Sequence, residues 1–125
     1  LEDGCTAEFL GHVPYDEMPA IYRSGDVLLL PSRAEGFPRT IMEALATETP
    51  VVMSELDHVS IPQSVGLMKV PVGNSVAMAT KTEAMLRTPR STRRSSRRYI
   101  KSNHEWEQTV VKTTNELQTL VTEYY

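Results

Sequence analysis

Val27 to Leu30 reads Val-Leu-Leu-Leu, with no polar residue before Pro31 stops it. Four apolar residues in a row do not alternate, so neither face of the segment is set aside for water. That is the pattern of a central strand in a parallel sheet, covered on both faces. A parallel neighbour needs a crossover, and one follows. Pro38 opens a helical stretch that runs to about Ala46. Proline is tolerated in a first turn, where its missing N–H has no intrahelical partner to lose. Val51 to Met53 is then a second short apolar strand. Strand, helix and strand in this order make a right-handed βαβ unit and fix the class as α/β.

The flanks extend the unit. Ala7 to Val13 reads as a strand, broken by Pro14 and Tyr15. Asp16 is placed to cap a helix with a Met18, Ile21 and Tyr22 face, and Gly25 to end it in a left-handed conformation. Ser60 to Ser64 reads as a helical turn interrupted by Pro62. Leu67 to Val70 is a fourth strand, closed by Gly73-Asn74. Helices are expected over Val76–Leu86, Ser91 to about Asn103, and Glu105–Tyr125. The last carries Trp106, Val110, Thr113, Leu117, Leu120 and Tyr124 near helical spacing. The expectation is a partial Rossmann-like parallel sheet of about four strands with flanking helices. It forms one domain over 1–125, with strand–helix alternation to about 74 and C-terminal helices over 75–125.

Composition removes several classes of function. A chain of 125 residues suits one core. Its net charge of -3 argues against a dedicated nucleic-acid binder. The single cysteine, Cys5, excludes an internal disulfide and fits a reducing, cytoplasmic setting. No apolar run approaches the ~20 residues of a membrane span, and no secretory signal is visible. His12, His58 and His104 have no paired spacing, so no metal site is expected. One charge pattern stands out. Arg87, Arg90, Arg93, Arg94, Arg97, Arg98 and Lys101 recur at three- and four-residue steps with no acid among them. On a helix, Arg90, Arg93, Arg94, Arg97 and Lys101 would form a basic stripe. It suits either a solvated outer face or peripheral contact with an anionic membrane surface.

Glu35 and Glu43 stand eight positions apart in the run EGFPRTIMEALATETPVV. The first falls in the loop after the Val27–Leu30 strand, the second on the following helix. Open α/β sheets bind ligands at that end of their strands. Ionised carboxylates accept hydrogen bonds from hydroxyls, and a helix N-terminus offers N–H groups to phosphate. Arg33 and Arg39 flank Glu35.

This block resembles the E-x7-E signature of retaining glycosyltransferases with the GT-B fold, especially glycosyltransferase family 4. Pro31-Ser32, Gly36-Phe37, Glu43-Ala44 and Pro50-Val51-Val52 fall where that family has them. EFLGHVPYDEMPAIYRSGDVLLLPS, GLMKVP and HEWEQTVVKTTNELQTL look like its flanking elements. The resemblance implies the C-terminal, donor-binding domain of an enzyme that moves a sugar from a nucleotide-sugar to an acceptor, without metal or other cofactor. Glu35 would hold hydroxyls of the transferred sugar and serve catalysis. Gly36, Phe37, Arg39 and Thr40 would approach sugar and diphosphate, and Glu43 would bind the ribose hydroxyls. The family's N-terminal acceptor domain and the opening of its donor domain are missing, so the chain alone is expected to be inactive. The sequence departs from the family at Pro38, often Gly there. It departs again at Thr47-Glu48-Thr49, where a small residue and a Gly for close helix–strand approach usually precede Pro50. A non-catalytic remnant or interaction module with the same fold is the alternative.

Overall fold

A computed structural model of the chain describes residues 4–36, 39–57, 59–63, 66–103, 114–116, 118, 119 and 122, with the backbone alone at Arg90 and Thr92. Three strands form one parallel sheet in the order β1 (Leu28–Leu30), β2 (Val51–Ser54), β3 (Leu67–Val70). In register, Leu29 pairs Val52 and Val52 pairs Met68. A short 3-10 turn over Tyr15–Glu17 leads into α1 (Met18–Ser24). The others are α2 (Arg39–Ala46), α3 (Ser75–Leu86) and α4 (Arg90–Asn103).

All four residues of β2 are buried, because alternate side chains enter two different layers. Val51 and Met53 join Tyr22, Ile41, Leu45 and Ile100 on the side of α2. Val52 joins Val70 and Met85 on the side of α3. The covered central strand is therefore β2, not the Val27–Leu30 segment. Leu29 is 45% exposed, because α3 lies across β2 and β3 and leaves its side of β1 open among the described residues. Ala7–Val13 is not a strand either. A strand needs a hydrogen-bonded neighbour, none lies beside it among the described residues, and Phe9 is 96% exposed. The expected sheet of about four strands has three among the described residues.

Local chemistry explains the other differences. Asp16 lies inside the 3-10 turn rather than capping α1, whose N-cap is Glu17 with no side-chain cap bond and which has Pro19 in its first turn. Gly25 is extended (φ -90°, ψ 151°) rather than left-handed. Its N–H bonds the Tyr22 carbonyl at 3.2 Å, and the chain runs straight on toward β1. Within Ser60–Ser64, positions 60–62 are not helical. Val59 and Ile61 are both buried with Ser60 exposed between them, which demands an extended backbone. Lys69 Nζ donates to the Val59 carbonyl and pins this loop to β3. Asn74 does more than close β3: its Oδ1 accepts the Ala77 N–H at 2.9 Å and caps α3. Most of the expected Glu105–Tyr125 helix lies outside the described residues; positions 114–116, 118, 119 and 122 are helical.

α2 buries Ile41, Ala44 and Leu45 on one stripe. Its end is a Schellman turn. The Thr49 N–H reaches the Ala44 carbonyl at 2.9 Å and the Glu48 N–H the Leu45 carbonyl at 3.1 Å. Glu48 carries the left-handed backbone this turn needs (φ 64°), so the glycine usual there answers a backbone demand. A side chain at that φ costs about 1 kcal/mol. Glu48→Gly is expected to raise stability by about that amount. A higher urea midpoint at unchanged slope would show it; a lower midpoint would refute the strain.

α4 docks on α2 through Ser96 and Ile100, both buried. Ser96 Oγ sits 2.9 Å from the Leu45 carbonyl, which also takes the Glu48 N–H at the end of α2, and 2.6 Å from the Arg93 carbonyl. This docking revises the basic stripe. Arg93 is half-buried on the packed side, its Nε shut from solvent and without a hydrogen-bond partner among the described residues. Arg94, Arg97, Arg98 and Lys101 are the exposed set. The Arg90 side chain lies outside the described residues.

Candidate functional site

The sheet ends its strands at Leu30, Ser54 and Val70, and the loops beyond them carry the candidate residues. Glu35 lies in the loop between β1 and α2, exposed, and accepts the Ser32 hydroxyl at 2.6 Å. That short bond orients the carboxylate and leaves most of its acceptor capacity open, since an ionised carboxylate has about four lone-pair sites. Gly36 beside it is exposed, and a Cβ there would meet nothing within 4 Å, so a ligand has room to approach this backbone. Phe37 and Pro38 lie outside the described residues.

Arg39 and Thr40 open the described part of α2. Arg39 is exposed, and its guanidinium carbon stands 5.9 Å from the centre of the Tyr15 ring. That stacking holds a cation at the mouth of the loop. Thr40 is half-buried and reaches Tyr22. Glu43, one turn further, is half-buried, and its Oε2 accepts the Tyr22 hydroxyl at 3.0 Å. Tyr22 is also held through its backbone, whose carbonyl accepts the buried Thr49 hydroxyl at 2.7 Å. α1 and α2 are thus clipped together on either side of Glu43.

Glu43 also lines a small cavity of about 180 Å³ between these helices, with Tyr15, Met18, Pro19, Tyr22, Ala46 and Thr47. Glu35 is not among its lining residues. A larger hollow of about 470 Å³ opens beyond the strand ends on the α3 side, between Pro31, Ser54, Pro71 and Asn74. The contacts that sequence reading missed are Ser32 to Glu35 and Tyr22 to Glu43. Tyr22 was legible as part of the apolar face of α1, but nothing in a residue pattern says where a phenol's hydroxyl points.

Burial pushes the Tyr22 phenol above its ordinary value, and its bond to the Glu43 carboxylate pushes the same way, because a phenolate there would face a second anion. The folded state thus holds this proton more tightly than the unfolded chain. Its stabilising effect is whole below the unfolded value of about 10 and fades as pH climbs toward the raised folded value. Stability is expected to fall on alkaline titration, and Tyr22→Phe should remove that part of the slope. Thermal melts across this window decide it: parallel curves for both proteins would contradict the assignment.

Residues 1–88 match the family described as glycosyl transferases group 1. The fold is that of a sucrose-phosphate synthase from Thermosynechococcus elongatus, with a TM-score of 0.83 over 93% of this chain and 30% of that one, at 23% sequence identity. Fold and matched block define a GT-B type glycosyltransferase domain. The chain belongs to the group 1 glycosyl transferases. Mannosylfructose-phosphate synthase of Agrobacterium fabrum is 44% identical over 54 residues, 43% of this chain and 12% of that protein. Phosphatidyl-myo-inositol mannosyltransferase of Mycobacterium leprae is 41% identical over 83 residues, 63% of this chain and 22% of that protein. The chain therefore spans less than a quarter of the length of either relative.

Proposed function

We propose that this chain is the donor-binding part of a retaining glycosyltransferase that takes a sugar from a nucleotide-sugar and hands it to an acceptor. One observation carries the reading: within the family-matched block, Glu35 lies exposed beyond β1, oriented by Ser32, and Glu43 follows on α2, each with acceptor capacity left over. Glu35 receives hydroxyls of the transferred sugar and is the catalytic residue. The Gly36 and Phe37 backbone and the Thr40 hydroxyl approach the sugar and diphosphate, and Arg39 brings positive charge to the phosphates. Glu43 takes the two ribose hydroxyls.

Neither acid is a nucleophile in this scheme. Both orient the donor, and the departing diphosphate assists the acceptor's attack on the same face, so the anomeric configuration is kept. Catalysis is positioning plus stabilisation of the leaving group. The names of the relatives, mannosyltransferases among them, make a hexosyl donor the first to test. An acceptor-binding domain completes the site, and the protein works in the cytoplasm. Among the described residues, no helix is long and apolar enough to cross a membrane.

One observation favours a second reading. The Tyr22–Glu43 bond gives Glu43 a structural use, which a non-catalytic module with the same fold would also keep. Kinetics separate the two. The protein that carries this chain beside an acceptor-binding domain should transfer a hexose from a UDP-, GDP- or ADP-sugar with retention at the anomeric carbon. Transfer with inversion would refute the mechanism, and donor cleavage with none of the three would favour the module.

A further inference from the structure

We propose that the outward face of α4 is a docking surface for an anionic lipid bilayer. The inference is independent of the donor reading, since neither Glu35 nor Glu43 takes part. Ser96 and Ile100 seat the helix on α2, so its opposite side is turned to solvent. On that side stand Arg94, Arg97, Arg98 and Lys101, all exposed, at the i, i+3, i+4, i+7 spacing of one helix face. At about 1.5 Å per residue the four cations line a strip of about 10 Å.

The charge is concentrated against the interest of the fold. Seven of the chain's thirteen Lys and Arg lie between Arg87 and Lys101, and none of its sixteen acids does. The exposed pairs Arg94/Arg98 and Arg97/Lys101 each set like charges four residues apart, which destabilises a helix. Arg93 and Arg94 add positive charge near the positive end of the helix dipole. An external array of anions offsets both penalties.

The shape of the charge selects the partner. Outside this segment the chain holds sixteen acids and six cations, so a polyanion that wraps would meet repulsion, whereas a plane touches one face alone. The exposed strip offers no aromatic ring for base stacking: Tyr99 is half-buried and packs toward the core. Ile100 also faces inward. No apolar edge is left to insert, so contact stays at the headgroups and is screened by salt.

Co-sedimentation of the chain with phosphatidylcholine vesicles, with and without phosphatidylglycerol, tests this at low and physiological salt. Binding is expected to the anionic vesicles alone and to weaken as salt rises. Each arginine or lysine replaced by glutamine should weaken it about fivefold. R94Q/R97Q/R98Q/K101Q should therefore release the protein, while R94K/R97K/R98K should hold it, with far-UV circular dichroism reporting the fold of both. Equal binding to both vesicle types, binding to neither, or loss in the charge-keeping lysine variant would overturn the proposal. So would duplex DNA that displaces the vesicles in competition.

Discussion

Leu45→Ala is expected to destabilise the chain by about 2–5 kcal/mol, the range for emptying a well-packed leucine site. Leu45 is completely buried. It belongs to the larger cluster with Ile41, Val51, Met53 and Leu67, and its carbonyl takes the Ser96 hydroxyl from α4. Sheet, α2 and α4 all meet at this residue, so the cavity left by truncation cannot collapse by the movement of one element. Small domains are stable by only about 5–15 kcal/mol in total, so much of the variant should be unfolded in moderate urea. Leu45→Met, which keeps the volume, should stay within about 1.5 kcal/mol of the parent. Urea unfolding of both decides the matter. A loss below about 1 kcal/mol for the alanine variant would mean that α2 is not the keystone described.

The second large effect concerns the acids. In a protein that joins this chain to an acceptor-binding domain, Glu35→Gln is expected to cut transfer by roughly five- to hundredfold, corresponding to about 1–3 kcal/mol for a charge-assisted hydrogen bond. Glutamine keeps the shape and loses the charge. Because Glu35 is exposed and its contact with Ser32 is a surface hydrogen bond that glutamine can also accept, the change should leave stability almost untouched. Glu43→Gln should weaken nucleotide binding more than turnover, and it should also loosen the α1–α2 clip, since Tyr22 loses an ionised acceptor. Full activity in the Glu35 variant would remove it from the catalytic role.

The βαβ unit was legible because apolar runs, Pro38 and Pro31 are local signals with one structural meaning each. So were β3 and the helices from Ser75 to Asn103, within a residue or so. What was not legible depends on neighbours. Whether Val27–Leu30 is central or at an edge is decided by what pairs and packs beside it, and Leu29 is open for that reason. Ala7–Val13 has the composition of a strand without a ladder to join. Arg93 follows the same spacing as the exposed arginines, yet Ser96 and Ile100 set the docked face and take Arg93 with it. At the site, the positions of Glu35 and Glu43 on loop and helix follow from their spacing around Pro38. The hydroxyls that already hold them, from Ser32 and Tyr22, do not. Glu48 shows the reverse case. A departure from the family pattern in sequence became readable only when its backbone proved left-handed.

The most direct test of the donor-site account is calorimetric titration of UDP-, GDP- and ADP-hexoses into the protein that carries this chain, beside its Glu43→Gln variant. Saturable binding of one of the three at a single site is expected, weakened roughly five- to hundredfold in the variant, with Tyr22→Phe included to separate loss of the clip from loss of the charge. Binding that is as tight in Glu43→Gln as in the parent, or no binding of any of the three, would contradict it.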